Sequence, residues 1–298
     1  VVDRVTVPAE ILKKVKLLEI RTRKVVNNVF AGEYHTNFKG QGMTFADFRE
    51  YVPGDDVRSI SWALTARAGK PYIKKYDEER ELTVILAVDV SSSSDFGSGE
   101  YFKGEVMTYV AALLAFAAIK NKDQVGLLLF SDQVEHYVPP RKGRGHVQRI
   151  LRDLFYIKPK SRRTKISVAL QHLQGILKKK STIFLISDFM DNEFDQQLRF
   201  LGKKHDVLGI TIEDPKEMQL PNIGVVNIED SETGETITVD TSSSHFRATY
   251  AAEMKRRRDQ RENLLRKAQV DQVIVPTSGD FADPLIRYFQ SRNRGRRR

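Results

Sequence analysis

The amino-acid sequence predicts an α/β fold: a mainly parallel sheet flanked by helices. Three observations carry this. Four short apolar runs read as buried strands, LTVILAVDV at 82–90, QVGLLLF at 124–130, TIFLIS at 182–187 and HDVLGITI at 205–212. Helical periodicities at 101–121, 145–157, 166–179 and 193–203 separate them. Strand and helix alternating at this spacing form crossover units, which pair their strands in parallel and put helices on both faces.

Each element has its own signal. Ile11, Val15, Leu18, Val25, Val26 and Val29 recur at helical spacing among basic residues and predict a helix over 9–29. From Ala31 to about Glu81 the chain is glycine-marked and predicted extended. The apolar stretch VMTYVAALLAFAAI, Val106–Ile119, falls between two strand runs. Its 14 residues are short of the roughly 20 a bilayer span needs, so it reads as a helix packed on a sheet. Val134–Val138 is a short extended piece ahead of Pro139-Pro140. Beyond the fourth strand run, Val225–Ile228 and Thr236–Val239 flank EDSETGE as a hairpin. A helix at 243–268, a strand at Gln272–Val275 and a helix at 282–290 complete the pattern. The expected organisation is a helix and extended/β region over 1–80, an α/β domain over 81–291 with a hairpin inserted at about 223–240, and a basic tail at 292–298.

Composition removes several function classes. Cysteine is absent, so disulfides, thiol nucleophiles and cysteine-zinc sites are excluded, and a reducing compartment suits the chain. VVDRVTVPAEILKK is basic and amphipathic where a secretory signal would be apolar, so a cytoplasmic location is expected. Formal net charge is +10, but Arg292, Arg294, Arg296, Arg297 and Arg298 of the closing RNRGRRR supply half of it. Lys255-Arg256-Arg257-Arg258 falls within a helical pattern. Weak polyanion binding through the tail is the nucleic-acid alternative this leaves open.

The chemistry concentrates at strand ends. In an open parallel sheet, ligands bind beyond the carboxyl ends of the strands. Asp89, in LAVDVSSSS, and Asp188, in FLISD, each close an apolar run. Either acid alone would serve as a cap for the following helix. Asp89, Ser91 and Ser93 together form Asp-x-Ser-x-Ser, which a tight loop can turn toward one point, while Ser92 and Ser94 fall out of phase. A carboxylate and two hydroxyls are hard oxygen ligands, suited to one magnesium ion, with manganese or calcium as alternatives. Thr164, in RRTKISVAL just before a helix, is the candidate third hydroxyl, and Asp188 would hold a metal-bound water from behind. So little ligand charge leaves the cation able to accept one outside carboxylate, which is binding rather than bond-breaking.

Other sites are weaker. There is no GxxxxGK[ST], no complete GxGxxG, no HExxH, and Ser91 lacks the GxSxG elbow. Asp55 and Asp56 follow Pro53-Gly54 and read as a structural turn bonded to backbone amides and Arg58, with Trp62 as a packing anchor.

The set formed by DVSSS at 89–93, Thr164 and ISD at 186–188 resembles the metal-ion-dependent adhesion site of von Willebrand factor A domains. FREYVPGDDVRSISW, with Arg49, Tyr51, Gly54, Asp55, Asp56, Arg58 and Trp62, resembles the signature of the bacterial domain-of-unknown-function 58 family. Ser61 stands where that family usually has an acid, and Arg163 stands where a glycine would precede the threonine. The resemblance implies a von Willebrand A-like α/β domain and a non-enzymatic role. It also implies a partner: a MoxR-type AAA ATPase, served by this chain as adaptor in a chaperone-like assembly, or another protein offering an Asp or Glu. A metal-dependent phosphoesterase or nuclease using Asp89, Asp188 and Asp191 is the enzymatic alternative.

Overall fold

The computed structural model describes residues 44–77, 82–191 and 193–295. The helix expected at 9–29 and the arginines at 296–298 lie outside them. Of these, residues 44–77 belong to one compact unit, and the described residues from Leu82 onward belong to a second.

In the smaller unit, β1 (Thr44–Glu50) and β2 (Tyr72–Asp77) pair antiparallel. The turn between them is structural, as expected. Asp55 accepts hydrogen bonds from both terminal nitrogens of the Arg49 guanidinium (2.7 and 2.8 Å) and from the Val52 amide (2.9 Å). Asp56 caps the short turn Val57–Ser59 by accepting the Arg58 amide at 2.9 Å. The guanidinium in this turn is thus that of Arg49, not Arg58. Two expectations are corrected here. Trp62–Ala68 is a helix, α1, rather than extended, because WALTARA is rich in helix formers and closes on Gly69 in the left-handed region. Trp62, at the first position of α1, is 69% exposed and is no packing anchor.

The larger unit is built on a six-stranded sheet. Its elements are β3 (Thr83–Asp89), α2 (Lys103–Lys120), β4 (Gln124–Phe130), β5 (Val134–Arg141), α3 (Arg144–Tyr156), α4 (Ile166–Ile176), β6 (Thr182–Ser187), α5 (Asp195–Lys204), β7 (Asp206–Glu213) and α6 (Pro215–Met218). The hairpin strands β8 (Val225–Glu229) and β9 (Thr236–Asp240) follow, then α7 (Ser244–Lys267), β10 (Asp271–Pro276) and α8 (Asp283–Gly295). Strand order is β10-β7-β6-β3-β4-β5, parallel throughout except β5, which runs antiparallel to β4. This is the α/β layout the sequence predicts. β5 continues through Pro139-Pro140, where the expected strand stopped, because an edge strand tolerates prolines at a bulge and the register against β4 shifts there.

Period-two alternation assigns the faces. Val84, Leu86 and Val88 of β3 pack with α2, α3 and α8, while Ile85 and Ala87 pack with α4, α5 and the end of α7. With both faces covered, a central strand must be apolar throughout, which is why its sequence does not alternate. The last helix runs through Arg292, expected in the tail. Its guanidinium instead donates to both oxygens of Asp206 (2.8 and 2.9 Å). Among the described residues, no helix is long and apolar enough to cross a membrane.

Gly202 marks a close approach. A Cβ there would overlap the Ala268 carbonyl oxygen where α7 ends against α5. Gly202→Ala is therefore expected to destabilise the protein by about 1–3 kcal/mol, despite alanine's better helix propensity, as a lower urea midpoint.

Candidate metal centre

β3 delivers Asp89 to the carboxyl edge of the sheet, where the carboxylate is buried. Its Oδ1 accepts the Ser91 amide (3.0 Å) and the Ser91 hydroxyl (2.7 Å), and its Oδ2 accepts the Ser187 hydroxyl from the tip of neighbouring β6 (2.7 Å). Ser93 Oγ lies 3.1 Å from Ser91 Oγ. The chain leaves the strand extended at Ser91 and then turns in the short 3-10 segment Ser92–Asp95. This turn brings the two in-phase serines together. The out-of-phase serines, given no role by the sequence pattern, hold the loop's path. Ser94 Oγ donates to the Ser91 carbonyl (2.7 Å), and Ser92 Oγ lies 2.8 Å from the Arg162 carbonyl and 2.6 Å from that of Ser231.

Thr164 arrives on the loop between α3 and α4. Two backbone bonds fix that loop, from the Ser92 amide to Arg162 O (3.1 Å) and from the Lys165 amide to Ser131 O at the end of β4 (3.1 Å). Thr164 Oγ1 sits 2.7 Å from Ser91 Oγ and 2.6 Å from Glu232 Oε1 on the β8–β9 turn. Arg162 and Arg163 beside it are exposed.

Protons run short in this cluster. Asp89–Ser91, Ser91–Ser93, Ser91–Thr164 and Thr164–Glu232 are four oxygen–oxygen contacts of 2.6–3.1 Å. Three hydroxyls supply three protons. With both carboxylates ionised, one contact has no proton between its oxygens. The deficit is met by one further positive charge, a proton or a cation. Burial, and then the nearby charge of Asp188, pushes the Asp89 carboxyl up to about 7, so the folded protein itself favours added positive charge there. The donor set of one carboxylate and three hydroxyls therefore fits a hard divalent ion. Among the described residues, no group of three His, Cys, Asp or Glu side chains gathers as a metal cluster, so this candidate depends on its hydroxyls.

Asp188 is also buried, next along the sheet edge, but differently compensated. Its Oδ2 accepts from the Lys103 ammonium (3.1 Å) and its Oδ1 from the Met190 amide (3.3 Å). Lys103, buried at the start of α2, also pairs with Glu217 of α6 at 2.5 Å. Burial alone would depress the Lys103 ammonium, but the Asp188 and Glu217 charges outweigh it and raise its pKa. Burial likewise raises Glu217, against the pull of Lys103. Asp191 is spent elsewhere, accepting the Ile166 amide at the start of α4 (2.8 Å). Sequence reasoning missed Lys103, Ser187, Glu217 and Glu232. Only Lys103 had a visible signal, as a lysine opening an otherwise apolar helix.

Fold and site together define a class: an open-sheet α/β domain of von Willebrand A-like layout, with an acid-and-hydroxyl cluster at the carboxyl end of its central strand. The chain belongs to the family described as "Protein of unknown function DUF58", which matches residues 47–260. An uncharacterized protein of Mycobacterium tuberculosis (strain H37Rv) is 28% identical over 285 residues, covering 94% of this chain and 89% of the relative. Among solved structures, the conserved hypothetical protein BatB from Bacteroides thetaiotaomicron is similar, with a TM-score of 0.47 and 16% identity over 72% of this chain and 99% of that one. Proximal thread matrix protein 1 from the mussel byssus, solved with a zinc-occupied MIDAS motif, has a TM-score of 0.37 and 19% identity over 44% of this chain and 38% of that one.

Two outcomes are expected. A carboxyl whose folded pKa lies above its unfolded value stabilises the fold at acid pH, and that stability is lost as pH rises from about 4 to about 7. In chelator, the unfolding free energy of wild type, read by urea titration, should fall across that window relative to Asp89→Asn by on the order of 2–4 kcal/mol. Lys103→Met leaves Asp188 and Glu217 without their shared cation and should cost roughly 3–5 kcal/mol, read by the same titration at pH 7.

Proposed function

We propose that this chain is a cation-dependent protein-binding module. Asp89, Ser91, Ser93 and Thr164 hold one magnesium or manganese ion, directly or through water. Asp188 orders a metal-bound water with the lone pairs that Lys103 and the Met190 amide leave free. When bound, the ion supplies an electrophilic position that takes a carboxylate oxygen from a partner protein. One observation supports this above the rest: three hydroxyls and two carboxylates, Asp89 and Glu232, brought from three loops, are one proton short of satisfying the contacts among them.

The surroundings favour a single ion. A two-metal hydrolytic centre needs further carboxylates to hold its second cation. Here Asp191 caps a helix and Asp188 is paired with a buried lysine. Arg162 and Arg163 give the site's rim positive charge, complementary to an acidic partner surface. By the family resemblance, the proposed partner class is a MoxR-type AAA ATPase, with this chain as its adaptor.

Calorimetry with magnesium and with manganese tests the site. Wild type is expected to take up one ion per chain, and Asp89→Ala to bind at least about a hundredfold more weakly. Equally weak uptake by both rejects the cation site. Capture of the ATPase by wild type in magnesium, lost in chelator and in Asp89→Ala, is the outcome expected for the partner.

A further inference from the structure

We infer that Glu232 is the chain's own carboxylate ligand for this cation site, and that the β8–β9 hairpin occupies the position an outside acid would take. The inference rests on the cation site proposed above and identifies what guards it.

The hairpin is a separate two-stranded sheet, inserted between α6 and α7. Among the described residues, its strands pair only with each other. Its tip nevertheless reaches the cluster at two points. Thr164 donates to Glu232 Oε1 at 2.6 Å, and Ser92 Oγ lies 2.6 Å from the Ser231 carbonyl. Burial follows the same pattern. Ser231 and Glu232 are half-buried, whereas 233–238 are exposed. An exposed tip whose two half-buried residues both touch the same loop cluster is seated there.

The turn is built to present that side chain. Asp230 accepts the amides of Glu232 (2.8 Å) and Thr233 (2.9 Å), and the Gly234 amide returns to the Asp230 carbonyl (2.8 Å). Gly234 supplies the left-handed φ of 75° that closes the turn. The turn thus fixes the backbone at Glu232, and Thr164 meets its carboxylate. Charge makes the contact conditional. Three hydroxyl protons satisfy the three contacts among Asp89, Ser91, Ser93 and Thr164, and the contact with Glu232 is the fourth that leaves the set a proton short, so its seat is favourable when a cation is present. A partner's acid must then displace Glu232, and its apparent affinity is reduced by the fraction of molecules in which the hairpin is seated.

Manganese itself is the probe. Binding and water-proton relaxation are measured on the full chain as wild type, Glu232→Gln, Glu229→Gln and Asp89→Ala, with and without sodium acetate as the outside carboxylate. Wild type should bind one ion, with relaxation that acetate leaves unchanged. Glu232→Gln should bind about tenfold more weakly, with higher relaxation per bound ion because water takes the vacated position. Acetate should then lower that relaxation. Glu229→Gln, exposed on the same hairpin, should match wild type. If Glu232→Gln matches wild type in affinity and relaxation while Asp89→Ala loses the ion, the role of Glu232 is overturned and the cation site stands. If Glu229→Gln shifts as much as Glu232→Gln, general charge is responsible and the inference also falls. If Asp89→Ala binds like wild type, the cation site is absent and the inference fails with it.

Discussion

Two buried carboxylates at adjacent strand tips dictate the carboxyl edge of this sheet. Asp89 ends β3, and Asp188 follows β6 directly beside it. Buried like charges are unfavourable unless each is compensated. The protein compensates them differently. Asp188 receives a permanent ammonium, Lys103, which also ties the start of α2 to α6 through Glu217. Asp89 receives only neutral donors: one amide and the hydroxyls of Ser91 and Ser187. One strand tip is therefore electrically closed and the other is not. That asymmetry is what the proposed cation site at Asp89 rests on.

The loops around Asp89 follow from its needs. Ser91 and Ser93 turn inward, while Ser92 and Ser94 spend their hydroxyls on backbone carbonyls that fix the path. Thr164 is carried in by a loop pinned at both Ser92 and Ser131. The chain just past Asp188 is turned by Phe189, a buried residue in the left-handed region at φ 57°. A non-glycine residue there stores strain, and the packed core around the ring maintains it. The site is thus assembled from local turns on a rigid strand platform.

Much of this could be read from sequence because its causes are local. Apolar runs of strand length between helical periods gave the sheet, and two-residue spacing placed Asp89, Ser91 and Ser93 on one point. Thr164 was reachable because it precedes a recognisable helix. What escaped was non-local or conditional. Lys103 meets Asp188 across 85 positions and Glu232 meets Thr164 across 68, and neither separation leaves a periodic trace. WALTARA was read as extended because its glycine-marked neighbours outweighed its helix formers. Trp62 was read as core because large aromatics usually are, yet the first position of α1 leaves it exposed.

The prolines in β5 bear on how this domain meets other chains. A sheet edge ordinarily offers a ladder of amides and carbonyls to any extended segment that drifts alongside. Pro139 and Pro140 cannot donate and sit where the register against β4 shifts, so the ladder on that flank is irregular and lacks an amide there. Strand addition there is discouraged by covalent structure rather than by charge. The β5 edge is thereby a poorer template for an added strand than an unbroken one.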